Sequence, residues 1–70
     1  RGDEAVQAIT YFIDDAIQFS QPRVRILHGT GTGILKQLIR QYLNTVKEVK
    51  SYRDEHVQFG GAGITVVDFE

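Results

Sequence analysis

Val24-Arg25-Ile26-Leu27-His28-Gly29-Thr30-Gly31-Thr32-Gly33-Ile34 is the stretch that decides how this chain is read. Val24 to His28 is short and rich in β-branched and aliphatic residues, which predicts a buried strand parallel to a neighbour. From Ile34 to about Thr45, Leu35, Leu38, Ile39, Tyr42, Leu43 and Val46 recur at helical spacing, which predicts an amphipathic helix. Between the two lie Gly29, Gly31 and Gly33, alternating with Thr30 and Thr32. Glycines of this kind can take positive φ and let successive N–H groups converge on an anion. The helix N-terminus behind them adds partial positive charge, and Thr32 could cap it. His28 can move a proton near neutral pH. A phosphate-handling site with acid–base chemistry is the sharper reading. The plainer one is a tight strand-to-helix turn in which His28 is hydrogen-bonded and inert.

Working outward, Asp3 to about Phe19 predicts a first helix, with Ala5, Ile9, Phe12, Ile13 and Ala16 on its apolar stripe and Val6 and Ile17 widening it. Asp14 and Asp15 fall off the stripe and read as solvated acids. Ser20-Gln21-Pro22 ends the helix. Val49 to Arg53 is a weaker strand candidate, Asp54 to Phe59 a polar loop, and Gly60-Gly61-Ala62-Gly63 a second flexible turn. Ile64-Thr65-Val66-Val67-Asp68-Phe69 predicts a final strand. The order is helix, strand, helix, strand, strand. A mixed α/β layer fold with that order places a further strand upstream of Arg1.

The chain has 70 residues, enough for one small domain of modest core. It has no cysteine, which removes disulfides and thiolate metal sites. No apolar run reaches the roughly 20 residues of a membrane span, and the start carries no signal-peptide pattern. Arg1-Gly2 opens the sequence without methionine, so it reads as a single domain, residues 1–70, cut from a longer protein. Net charge is −1, against a strongly basic nucleic-acid binder. The charges are nevertheless segregated. Arg23, Arg25, Lys36, Arg40, Lys47, Lys50 and Arg53 occupy the middle, opposed there by Glu48 alone, as a footprint for a polyanion would be. Lys36, Arg40 and Lys47 return to nearly one helical angle, beginning one turn after the glycine loop.

Spacing excludes two familiar phosphate loops. A Walker A loop fails because Ile34 stands five after Gly29 and Gln37 follows Lys36. The dinucleotide fingerprint fails because Ile34 occupies the third glycine position.

The pattern His28-Gly-x-Gly-x-Gly, with Arg1-Gly2 before it, Ser51-Tyr52-Arg53-Asp54 after it and Gly60-Gly61-Ala62-Gly63-Ile64-Thr65-Val66-Val67 behind, resembles the Smr (small MutS-related) domain over the whole chain. The Arg-Gly start is most similar to the Smr domain at the C-terminus of the second bacterial MutS paralogue. The resemblance implies an α/β (α+β two-layer) fold, two helices on a mixed three- to four-stranded sheet, similar to the C-terminal domain of the third bacterial translation initiation factor. It also implies nucleic-acid binding and, in many members, endonuclease activity on DNA or RNA in a bacterial cytoplasm. Many nuclease members carry Asp-Leu-His-Gly as the first motif; here Arg1 stands where that histidine would be. Arginine can stabilise phosphate charge but cannot serve as a base at neutral pH.

The expected site therefore has His28 as general acid or base and Arg1 as the charge-stabilising partner. Gly29, Thr30, Gly31, Thr32 and Gly33 would hold a phosphate, with Lys36 and Arg40 along the backbone. Arg23, Arg25, Lys47, Lys50 and Arg53 could extend that track, and His56 could approach the same face. No cluster has metal-ligand spacing, though a carboxylate could hold Mg²⁺ together with phosphate oxygens. ATP would belong only to a parent, MutS-like and dimeric, protein. Two other functions stay open: a non-catalytic docking module for structured nucleic acid such as the ribosome's, and a pocket for a small phosphorylated ligand.

Overall fold

The computed structural model describes residues 2–70. Helix α1 spans Gly2–Gln18, strand β1 Arg23–Leu27, helix α2 Ile34–Leu43, strand β2 Val49–Asp54 and strand β3 Ile64–Phe69. Short 3₁₀ turns at Val57–Phe59 and Gly61–Gly63 fill the β2–β3 connection. The strands form one sheet in the order β1-β3-β2, and both helices pack on one face of it.

Asp3 and Glu4 sit in the first turn of α1, where carboxylates oppose the positive end of the helix dipole. Its other end is a Schellman closure: Gln21 N–H donates to the Ala16 carbonyl (2.9 Å) and Ser20 N–H to that of Ile17 (3.0 Å). Ser20 takes the left-handed position, φ 57°, usually given to glycine, and Pro22 follows. The chain is thereby turned back into β1.

Both ladders are antiparallel, which corrects the expectation that β1 has a parallel neighbour. The physical reason is the position of β3. Helix α2 returns the chain so that β2 runs in the same direction as β1, as a crossover requires. Then β3 inserts between them and takes the hydrogen bonds of both. Among the described residues the sheet is three-stranded and antiparallel throughout, not mixed.

The register sorts the side chains by face. Val24 pairs with Val67, Ile26 with Thr65, Tyr52 with Val67 and Asp54 with Thr65; these face the helices. Arg23 pairs with Asp68, Arg25 and Arg53 with Val66, and Leu27 with Ile64; these face away. A one-residue bulge at Lys50 lets Val49 return to the helix side opposite Phe69. Ile13, Ile26, Ile39, Leu43 and Val67 form the buried core, ringed by Ile9, Ile17, Val24, Leu35, Tyr42, Val46, Tyr52 and Phe69. Two expectations about the helices change. Phe12 is 44% exposed, on the flank of α1 beyond the core stripe. Helix α2 ends at Leu43, so Val46 reaches the core from the following turn and Lys47 is not on the helical arc of Lys36 and Arg40.

Candidate nucleic-acid interface at the glycine loop

Strand β1 delivers the chain into residues 28–33, and α2 begins immediately after them. Gly29, Gly31 and Gly33 all adopt positive φ, at 79°, 31° and 84°. A Cβ built on any of the three meets nothing within 4 Å, so backbone conformation and not crowding calls for glycine there. The second glycine turn supports the loop from below. The Gly63 carbonyl accepts two N–H groups, from His28 (3.1 Å) and Gly29 (2.9 Å). Gly63 itself is buried.

Gly33 is the N-cap of α2, with its carbonyl taken by Gln37 N–H at 3.0 Å. Thr32 contributes only a long 3.4 Å contact from Ile34 N–H to its hydroxyl, so it is not the cap that the sequence suggested. Among the described residues, the N–H groups of Thr30, Gly31, Thr32 and Gly33 find no protein acceptor. They border a shallow cavity of about 190 Å³ lined by residues 28–33 with Leu35 and Lys36. Unpaired donors at the start of a helix are the elements of an anion site.

Beneath the loop lies a chain of polar contacts. His28 Nδ1 is 2.8 Å from the Gly29 carbonyl oxygen and Nε2 is 2.7 Å from the Thr65 hydroxyl. Arg40 donates to the same hydroxyl from Nε and Nη2, each at 3.1 Å. Its Nη2 also donates to Asp54 at 2.6 Å, and the guanidinium lies over the Tyr52 ring, 5.2 Å from its centre. Lys36 Nζ holds the same Asp54 oxygen at 2.8 Å. The Lys36 hydrogen bond, then that of Arg40, keeps the Asp54 carboxyl below its ordinary range. Thr65 is fully buried, and no buried side-chain polar atom among the described residues lacks a partner.

The structure thus brings His28, Gly29, Thr30, Gly31, Thr32, Gly33, Lys36 and Arg40 together. Arg1 lies outside the described residues. The rest of the supposed basic track divides. Arg23, Arg25 and Arg53 stand on the sheet face away from the helices, where Arg23 (2.6 Å) and Arg53 (2.7 Å) share Asp68 and Arg25 pairs with Glu55. These guanidiniums hold both carboxyls below the usual range, that of Asp68 at about 2. His56 is occupied locally: it caps the turn Val57–Phe59, taking Gln58 N–H on Nδ1 at 3.1 Å, and its ring tilts against Phe59. Among the described residues, no three of His, Cys, Asp or Glu gather as a metal site. None of the helices described is long and apolar enough to cross a membrane.

Thr65 and Asp54 are the site residues that sequence reading missed. Thr65 sits in a valine-rich strand and Asp54 at the start of a polar stretch. Only the pairing of Asp54 with Thr65 across β2 and β3 puts them beside His28.

A two-layer α+β domain with an outward-facing glycine nest between strand and helix is the class that this geometry defines. The Smr domain family model matches residues 1–70, and the chain belongs to that family. It is 41% identical over 70 residues to Endonuclease MutS2 of Geobacillus thermodenitrificans and 44% identical over 68 residues to that of Lachnospira eligens. The matches cover 100% and 97% of this chain but only 9% of each relative's length, so they concern their Smr domains alone. The crystal structure of the Smr domain of Thermus thermophilus MutS2 superposes with a TM-score of 0.94 at 36% identity, over all of this chain and 88% of that one. YdaL, a stand-alone small MutS-related protein of Escherichia coli, shares the fold at a TM-score of 0.93 and 22% identity, over all of this chain and 58% of that one.

Proposed function

We propose that this Smr domain binds nucleic acid by seating a backbone phosphate on the main-chain N–H groups of residues 30–33. The observation that carries the reading is the row of unpartnered amides at the head of α2. A phosphodiester supplies the acceptor oxygens and the negative charge that such a row favours. Lys36 and Arg40 stand beside it and bring two positive charges against the one of Asp54. The name Endonuclease MutS2 borne by its relatives supports a nucleic acid as the ligand.

Cleavage is the further half of the proposal. His28 would take or return the proton, activating a 2′-hydroxyl on RNA or a water on DNA. Arg1 would stabilise the charge that develops on the phosphate. For this, the ring must exchange one of its present hydrogen bonds for the substrate. Because both ring nitrogens are engaged within the protein, a docking role without cleavage is the second reading.

The experiment compares the protein with its His28→Ala and Arg1→Ala variants on labelled single- and double-stranded DNA and RNA. Binding that weakens with salt and shifts the amide resonances of residues 29–34 is the expected result. Cleavage that vanishes in His28→Ala supports the catalytic half, and cleavage that persists there refutes it. Binding that leaves those amides unmoved refutes the interface.

A further inference from the structure

The hydrogen bonds around His28 leave one placement of the protons. A carbonyl can only accept, so the contact with Gly29 puts a proton on Nδ1. A guanidinium can only donate, and Arg40 directs two N–H groups at the Thr65 oxygen. Arg40 can therefore take no proton from that hydroxyl. The hydroxyl proton must leave on the remaining side, toward Nε2 of His28, which accepts it. A ring carrying its proton on Nε2 instead of Nδ1 would aim a further donor at the same oxygen and a lone pair at the Gly29 carbonyl. The hydroxyl proton would then be stranded in a fully buried place.

The other end of the ring acts on the loop. In a trans peptide, C=O and N–H point in opposite directions. With the Gly29 carbonyl held inward by Nδ1, the N–H of Thr30 is turned outward, to the first position of the nest. We infer that Thr65 is a positioning residue for the loop. Its buried hydroxyl, oriented by Arg40, fixes His28 as the Nδ1–H tautomer, and that tautomer aims the Thr30 amide at the anion. The inference rests on the proposed phosphate site for its purpose, but the tautomer does not depend on any ligand. It also gives His28 a task before any chemistry: as a strut between β3 and the loop it preorganises donors for a phosphate.

The test reads the tautomer directly. Imidazole ¹⁵N resonances of His28 are recorded in the free protein, its Thr65→Val, Thr65→Ser and Arg40→Met variants, and affinity for a short oligonucleotide is measured for the wild type and the two Thr65 variants. The expected result is an Nδ1–H ring in the wild type and in Thr65→Ser. Thr65→Val, nearly the same shape without the hydroxyl, gives a mixture of tautomers. So does Arg40→Met, which frees the hydroxyl to act as donor or acceptor. Affinity falls about tenfold in Thr65→Val, the scale of one hydrogen bond to a charged group, and returns in Thr65→Ser. An Nε2–H ring in the wild type overturns the inference, as does an Nδ1–H ring that survives in Thr65→Val with affinity unchanged. If the tautomers behave as stated while the oligonucleotide binds elsewhere on every variant, the strut stands and the phosphate reading falls.

Discussion

Gly33 offers a clean measurement of how much the loop depends on its left-handed backbone. It lies at φ 84°, ψ −2°, as N-cap of α2. An L-alanine there places Cβ in open space, with no heavy atom within 4 Å, so collision contributes nothing. What remains is the intrinsic cost of a left-handed conformation for an L-residue, about 1–2 kcal/mol. Set against it is a gain of about 0.4–1 kcal/mol from the stiffer unfolded chain, which any alanine provides. Replacing Gly33 by D-alanine supplies the same gain without the strain, because positive φ is the natural region of a D-residue. The unfolded-state term therefore cancels between the two enantiomers, and their difference isolates the strain. That difference corresponds to a melting temperature roughly 4–16 °C lower for the L-form, on the scale for a domain of this size. Chemical synthesis by segment ligation gives both chains, and circular-dichroism melts with guanidinium titrations compare them. The D-form is also expected to keep oligonucleotide affinity, because the Gly33 amide stays where it was. Equal stability of the two enantiomers would refute the argument that conformation, and not space, dictates this glycine.

Two further outcomes follow from the ion pairs. Asp54→Asn removes the anion that occupies Lys36 and Arg40, so affinity for single-stranded nucleic acid rises and the slope of log K against log[salt] steepens by about 0.7 for each additional phosphate neutralised; anisotropy titrations at several salt concentrations read both, and weaker binding with an unchanged slope would contradict the assignment. Asp68, held at about 2 instead of 3.8 by Arg23 and Arg53, ionises more readily folded than unfolded. Its contribution is complete above the ordinary value and is lost as pH falls toward 2, so the stability gap between the protein and Asp68→Asn is constant near neutrality and closes below pH 3.8; denaturant melts across pH 2–7 measure it, and a gap that widens on acidification would reverse the sign.

What was readable in the sequence follows from where the information lies. Helical spacing in Ile9, Ile13 and Ala16, and in Leu35, Ile39 and Leu43, is local, and these residues do face or border the core. The alternating glycines announce their left-handed backbone because glycine alone takes it without strain. Strand direction is not local. Val24 to Leu27 reads as a buried parallel strand because its neighbour's identity depends on where residues 64–69 insert, which no run of five residues encodes. Phe12 occupies a plausible helical position, but it lies outside the buried cluster and stays 44% exposed. The basic residues looked like one track because sequence shows charge without face. Alternation along β1 and β2 sends Arg23, Arg25 and Arg53 to the opposite side of the sheet from Lys36 and Arg40. The contacts of His28 were invisible for the same reason: Thr65 is 37 residues away.

The placement of β3 at the centre of the sheet has a consequence for how the molecule comes into being. In chain order β1 and β2 both precede the strand that joins them, β2 ending at Asp54 and β3 beginning at Ile64. Gly63 and Thr65, which brace the loop and the imidazole, arrive together with that strand. Docking of these last residues therefore closes the sheet and braces the glycine loop together. A chain in which β3 is undocked has neither a continuous sheet nor a braced loop.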